Sequence, residues 1–241
     1  MISPVFTRLL EYQKERDLLF SYPVGELKEI ISEVGFLCDG CAQCCTSAFN
    51  GHVFLLDSEV EKALDLFDDA VIPAPDFDFC DKDGVFYVSG FALRTDHEGN
   101  CVFLAEKRCS VYQNRFSICR VYPYMLHREP DETGKTAFRQ ISGLNLHGSY
   151  HHEISDDEAT NLALATIAYE KEFLNQLIAF CTGLLSLYEQ EKKRHVQRSY
   201  DQEYRRFLNG KPVLVRVFRD NSFIPVTVSR DDYAGIIRTH P

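Results

Sequence analysis

Nine cysteines in 241 residues carry the most specific chemistry in this sequence. Four fall within eight residues, in Cys38-Asp39-Gly40-Cys41-Ala42-Gln43-Cys44-Cys45, and three more follow at Cys101, Cys109 and Cys119. Thiolates are soft ligands for zinc, Cu(I) and iron–sulfur clusters. A C-x2-C pair lets two sulfurs converge on one ion from a tight turn, and Gly40 offers the positive φ that such a turn asks for. Cys44 extends the run to C-x2-C-x2-C. With that spacing a loop can wrap one cubane while a distant cysteine closes it, and Cys119, with Pro123 nearby, is the candidate for that fourth position. Structural zinc sites usually take two paired knuckles. Here one tight run is followed by single cysteines with seven and nine residues between them. Spacing leans toward a cluster, and ligand chemistry leaves zinc open.

The adjacent pair Cys44-Cys45 adds a constraint. Neighbouring side chains in an extended segment point opposite ways, so both thiols hardly face one small ion. Either one of them is spare or there are two nearby sites. Seven cysteines divide as four and three, and a three-thiolate site would keep a coordination position open, as catalysis or metal transfer requires. Packing is the alternative reading for any cysteine, since the free thiol is often buried. It suits Cys181, on an apolar helical stretch, and it is preferred for Cys80, with an eighth ligand as the other reading. It does not suit four thiols in eight residues.

Other candidates are weaker. His52 follows the cysteine run and could complete a site, while His147, His151 and His152 read as an exposed polar loop. Arg115 and Arg120 flank Cys119. They would neutralise a thiolate-rich centre, hold an anionic substrate or make surface ion pairs. There is no G-x-G-x-x-G, Walker loop, G-x-S-x-G or H-E-x-x-H. Asp68-Asp69 and Asp156-Asp157 read as solvated faces and a helix start.

The elements that must position these thiols follow from periodicity. Residues 5–20 and 24–36 show helical spacing, and the second stretch delivers the chain into Cys38. His52–Leu56 reads as a short strand. A helix follows, with Ser58 and Glu61 at capping-box spacing. The proline-rich stretch 72–76 reads as an irregular loop. Residues 85–94 read as a strand, 101–112 as a hairpin, and 136–141 as another strand. Ser155-Asp156-Asp157-Glu158 opens a helix that continues to about Arg198, as one piece buried on several faces or as two pieces broken near Thr182-Gly183. A short helix at 200–208, a hairpin of 212–218 with 223–228, and a last helix at 231–238 complete the expectation.

Length, at 241 residues, allows a real core without cross-links, so the cysteines need another reason. The formal charge of -10 argues against nucleic acid and against anionic membrane surfaces, which need clustered Lys and Arg. The run Lys192-Lys193-Arg194 ends a helical pattern and complements its C-terminus. No secretory h-region and no run of about 18 uncharged apolar residues is visible, so a cytoplasmic location is expected. In a reducing compartment, clustered cysteines are more often metal ligands or reactive thiols than disulfides.

The ordered series Cys38-x2-Cys41-x2-Cys44-Cys45, Cys101-Val-Phe-Leu, Cys109-Ser-Val-Tyr and Arg115-x3-Cys119-Arg-Val-Tyr-Pro-Tyr resembles the CxxCxxCC cysteine-cluster family, the YkgJ-like group described as zinc- or iron-chelating. The likeness covers about residues 36–124. Phe116 stands where the family commonly has proline, which loosens the turn before Cys119 but removes no ligand. The resemblance implies metal or cluster binding with the reaction unassigned. A flagellin lysine methylase is similar in carrying the same cysteine pattern, which implies a protein-modifying methyltransferase as an alternative, although no methyl-donor pocket motif is recognisable.

The expectation is an α+β protein, helix-rich with short strands and hairpins around a cysteine-ligated metal centre. Residues 1–130 would hold the N-terminal helices and the cysteine region, and 131–241 a helical region with a C-terminal hairpin, the two packed as one unit. The expected ligands are Cys38, Cys41, Cys44, Cys45, Cys101, Cys109 and Cys119, holding an iron–sulfur cluster or a zinc ion. The alternatives are an enzyme, methyltransferase or redox, acting on a protein substrate, and a structural zinc module that binds a protein.

Overall fold

The computed structural model describes residues 3–130, 136–140, 147–233 and 235–236. The fold is α+β. Helices α1 (Pro4–Phe20) and α2 (Val24–Val34) lead into the cysteine run, followed by the short α3 (Ser47–Asn50) and by α4 (Asp57–Leu66). Four short strands come next, β1 (Val71–Pro73), β2 (Phe79–Cys80), β3 (Phe86–Val88) and β4 (Phe91–Leu93). A hairpin of β5 (Leu104–Ala105) and β6 (Arg108–Cys109) precedes α5 (Ser117–Val121). Then follow β7 (Leu126–Pro130), β8 (Thr136–Gln140), the long α6 (Asp156–Gln190), α7 (Gln197–Leu208) and the hairpin of β9 (Val213–Arg219) with β10 (Ser222–Val228). Among the described residues, no helix is long and apolar enough to cross a membrane.

Two compact units interleave along the chain. A sheet unit comprises Met1–Tyr12, Cys45–Val102 and Gln176–Pro241, and a cysteine-rich unit comprises Gln13–Cys44 and Phe103–Asn175.

In the sheet unit the strand order is β10-β9-β3-β2, with β3 parallel to β9 and the other pairs antiparallel. The β9–β10 turn is carried by Asp220 and Asn221, both at positive φ (48° and 58°), which matches the twist of a tight hairpin. Buried against the sheet is an aromatic core that includes Phe79, Tyr87, Phe180, Tyr188 and Phe218. The long helix passes Thr182-Gly183 without a break. Gly183 answers to packing there, because a Cβ would lie 3.0 Å from the Phe218 ring.

Three sequence expectations are revised here by tertiary contacts. The stretch 85–94 is two strands, split at Ser89-Gly90. Asp78 accepts the Ser89 N–H at 3.0 Å and Gln176 Nε2 donates to the Ser89 carbonyl at 3.2 Å. The proline-rich stretch contains β1, paired to β4. Helix α4 begins at Asp57 with Leu56 at its N-cap, which places Ser58 inside the first turn. Its first amide, that of Asp57, donates instead to Gln176 Oε1 at 2.8 Å. The capping serine expected at α6 is present, since Ser155 Oγ accepts the Glu158 N–H at 3.3 Å. Of the expected last helix, a short 3-10 turn, Arg230–Tyr233, is described; residues 234 and 237–238 lie outside the described residues, as does Ile141 of the expected strand.

In the cysteine-rich unit, α2 ends on Gly35 at φ 49°. A Cβ there would fall 2.3 Å from the His152 carbonyl oxygen, so both the backbone and the space require glycine. Leu37 and Ser149 then exchange backbone hydrogen bonds at 2.7 and 3.0 Å. The Phe36 N–H donates to the Tyr124 hydroxyl at 3.0 Å. Buried Glu170 of α6 accepts the Leu126 N–H at 3.0 Å.

Candidate metal centre

The cysteine loop leaves α2 through Gly35 and is pinned at Leu37 by its bridge to Ser149. Beyond that point the backbone curls. Asp39 Oδ1 accepts the Cys41 N–H at 2.9 Å, Gly40 takes φ 75° and Ala42 φ 65°, and Gln43–Cys45 form a 3-10 turn. Nothing lies within 4 Å of a Cβ placed on Gly40, so glycine is there for its φ and not for space. Accepting the Cys41 amide also holds the Asp39 carboxyl below the usual range. Cys38 and Cys44 are half-buried and Cys41 is exposed.

The other thiols of this unit arrive on the β5–β6 hairpin and on α5. The hairpin turns at Glu106 and Lys107, both at positive φ, and ends on half-buried Cys109. Cys119 is half-buried in the middle of α5, behind fully buried Phe116, whose ring packs 5.8 Å from that of Phe103. Phe116, which stands where the resembled family commonly has proline, is thus a buried ring packed on Phe103.

Two tyrosines stand among these thiols. Tyr112 shares a hydrogen bond with Cys38 and lies near Cys109. Burial and the two sulfurs raise its pKa, against the pull of Arg115. The Arg115 guanidinium covers the Tyr112 ring at 3.9 Å, a cation–π placement. Tyr122 lies near Cys44, Tyr150 and Cys41, and burial, then those neighbours, push its pKa up. Its buried hydroxyl makes no hydrogen bond among the described residues. Sequence reasoning quoted both tyrosines as parts of the pattern but gave neither a role. Their signal was position, three residues after Cys109 and three after Cys119.

The histidine group divides. His147 is buried, not exposed as expected, with its ring 5.3 Å from that of Tyr122 and 6.1 Å from that of Phe36. Burial holds it toward the neutral imidazole, with Asp39 pulling the other way. His151 and His152 are exposed, and His152 Nε2 shares a 2.7 Å hydrogen bond with Ser149 Oγ. His52 lies in the sheet unit, where burial lowers its pKa and Asp76 opposes. Arg120 is exposed and donates to Ser117.

Cys45 and Cys101 belong to the sheet unit and are both half-buried. The Cys101 N–H donates to the Cys45 carbonyl at 2.8 Å. Cys80 and Cys181 are different. Both are fully buried, and burial pushes each thiol up to about 12. The Cys80 thiol donates to the Asp81 carbonyl at 3.5 Å, as a protonated sulfur does.

None of the nine cysteines is in a disulfide. Among the described residues, no three His, Cys, Asp or Glu side chains form a ready-made group that could hold an ion. The donor set nonetheless fits a soft ion. It is thiol-rich, partly open to solvent and strung on turns, and the buried Tyr122 hydroxyl, which makes no hydrogen bond among the described residues, lies near Cys44 and Cys41.

A family model, CxxCxxCC, described as "Putative zinc- or iron-chelating domain", matches residues 37–142. The matched segment contains eight of the nine cysteines, Cys80 included. No curated protein and no solved structure matches the chain.

Proposed function

We propose that this chain is a metal-binding protein whose zinc ion or iron–sulfur cluster is held by thiolates drawn from Cys38, Cys41, Cys44, Cys45, Cys101, Cys109 and Cys119. The observation that carries this reading is the split between the cysteines. These seven are partly exposed or exposed, while Cys80 and Cys181 are sealed in apolar surroundings and kept protonated. A ligand must lose its proton and reach the ion. The match to a zinc- or iron-chelating family supports the same assignment. The bound metal would supply a multivalent positive charge that organises the loop. The chain's own contribution is the curled backbone at Asp39–Ala42, the Tyr112 and Tyr122 hydroxyls that can donate to sulfur, and the Arg115 charge beside the Tyr112 ring. The cytoplasmic location expected from the sequence would keep these thiols reduced.

Anaerobic purification followed by elemental analysis tests the reading. Brown protein whose visible absorbance bleaches with dithionite carries a cluster, and colourless protein with stoichiometric zinc carries zinc. Metal content unchanged in Cys38→Ser and Cys119→Ser would overturn the assignment.

A further inference from the structure

Tyr122 and Tyr124 follow the end of α5, and their buried hydroxyls are treated differently. The Tyr124 hydroxyl accepts the Phe36 N–H at 3.0 Å. The Tyr122 hydroxyl makes no hydrogen bond among the described residues. Its ring has little freedom to seek one. The Tyr122 N–H donates to the Ile118 carbonyl at 3.1 Å, which ties the residue to α5. The ring packs 5.8 Å from that of Phe36 and 5.3 Å from that of His147. Phe36 is itself confined, since a Cβ on Gly148 would fall 2.3 Å from its ring. A buried O–H without an acceptor is costly, because it has given up water and gained nothing in return. The frame holds this donor still, so the acceptor has to come to it. The neighbours of the hydroxyl are Cys44, Tyr150 and Cys41. Both sulfurs sit on the curled loop, where Gly40 and Ala42 stand at positive φ. Cys44 is half-buried and Cys41 exposed, so Cys44 is the sulfur on the inner side of that loop.

We infer that the Tyr122 hydroxyl is the hydrogen-bond donor to the metal-bound Cys44 sulfur, so that metal loading satisfies a buried polar group which the metal-free chain leaves unsatisfied. This rests on the metal-binding reading above and makes Tyr122 a positioning residue of the centre, not a ligand. Sulfur accepts weakly as a thiol and strongly as a metal-bound thiolate, so the bond belongs to the loaded chain. Donors of this kind orient a ligand and tune the centre behind it.

The whole chain, reduced and stripped of metal, is titrated with Co(II) in the absence of oxygen. Tyr122→Phe removes the donor and keeps the ring. It should weaken Co(II) binding about tenfold and move the sulfur-to-cobalt charge-transfer band to longer wavelength, because the hydrogen bond draws electron density from sulfur. Denaturant unfolding of the metal-free chain should not follow that loss. There Tyr122→Phe should be at least as stable as wild type, since it deletes an unsatisfied polar group. Tyr124→Phe is the control. It strips the Phe36 N–H of its acceptor, so it should lower metal-free stability and leave the band in place. In the Cys44→Ser background, Tyr122→Phe should change neither band nor affinity further. Three results overturn the assignment. They are a Tyr122→Phe band and affinity equal to wild type, a metal-free Tyr122→Phe chain destabilised as Tyr124→Phe is, and a further loss in the Cys44→Ser background. A wild-type chain that takes up no Co(II), or whose metal content survives both Cys38→Ser and Cys119→Ser, overturns the metal-binding reading instead.

Discussion

Cys80 and Cys181 sit in the sheet unit with no exposed surface, and burial alone is enough to keep their thiols protonated. Thirty-six residues before Cys80 in the same chain, Cys44 lies half-exposed on a curled loop, next to a buried phenol whose O–H has no acceptor among the described residues. The same side chain is a small hydrophobe in one place and a partly accessible thiol in the other. The contrast extends to the acids. Buried Asp81 of the sheet unit is fully answered from within. It accepts from the amides of Asp83 and Val85 at 2.8 and 3.1 Å, from the Tyr87 hydroxyl at 2.9 Å and from Lys193 at 2.8 Å. Asp81 is thus answered inside the sheet unit, while the cysteine loop is shaped by turns and leaves its sulfurs partly accessible.

The largest effect that would break this contrast concerns metal. Cys38→Ser or Cys119→Ser should strip most bound metal, and Cys181→Ser should strip none, by elemental analysis of the purified chain. An unperturbed thiol reagent count makes the same distinction. The reduced, metal-free native chain should react at seven thiols and at all nine only after denaturation.

Next comes Asp81→Asn. It removes the buried carboxylate that Tyr87 and Lys193 donate to, while Lys193 keeps Asp83 and Glu191 at 3.6 and 3.1 Å. The expected cost by denaturant titration is therefore that of lost charged hydrogen bonds, about 1.5–3 kcal/mol. The wild type carries a matching acid limb. Burial alone would raise the Asp81 pKa, but Lys193, Tyr87 and the two amides outweigh it and hold it low. A depressed folded pKa contributes stability above the unfolded value of about 3.9, lost as pH falls through the folded value. The variant should lack that limb.

Gly35→Ala should cost about 2–4 kcal/mol, from the left-handed backbone and the overlap with the His152 backbone, and should loosen metal binding by tilting the loop that follows. A variant of wild-type stability would mean that the loop is not set by the end of α2. Gln176→Ala should cost about 1–2 kcal/mol in the sheet unit, since it removes both the α4 cap and the Ser89 contact, and should leave metal content unchanged.

The smallest effect is a sign. Burial pushes Asp78 up to about 7, although the Ser89 amide donates to it. Its folded pKa lies above the unfolded one, so the stability it contributes below pH about 4 is lost as pH rises toward about 7. Asp78→Asn keeps an acceptor for Ser89 and removes the charge. Thermal unfolding should show it stabilised relative to wild type at pH 8, with the gain shrinking toward pH 4.

Much of the fold was legible because it is local. The first two helices, the capping serine of α6 and the β9–β10 hairpin each rest on periodicity or turn chemistry within a few residues. What failed was settled at a distance. Gln176 decides both where α4 begins and where the strand at 85–94 breaks, and no window around residues 57 or 89 contains it. Of the two readings at Thr182-Gly183, the unbroken helix is the one found, and the close Phe218 ring accounts for the glycine. His147 looked like part of an exposed loop and is buried beside Phe36 and Tyr122.

The sequence alone determined the donor chemistry, because four cysteines in eight residues with Gly40 between them have little reason to exist as packing, and it pointed to α+β. Only the tertiary structure separated the thiols into kinds. Exposure, the aromatic neighbours and strand register are properties of residues brought together from far apart in the chain. They seal Cys80 and Cys181 as protonated core, set Tyr112 and Tyr122 beside partly exposed thiols of one unit, and bring the Cys101 amide onto the Cys45 carbonyl in the other.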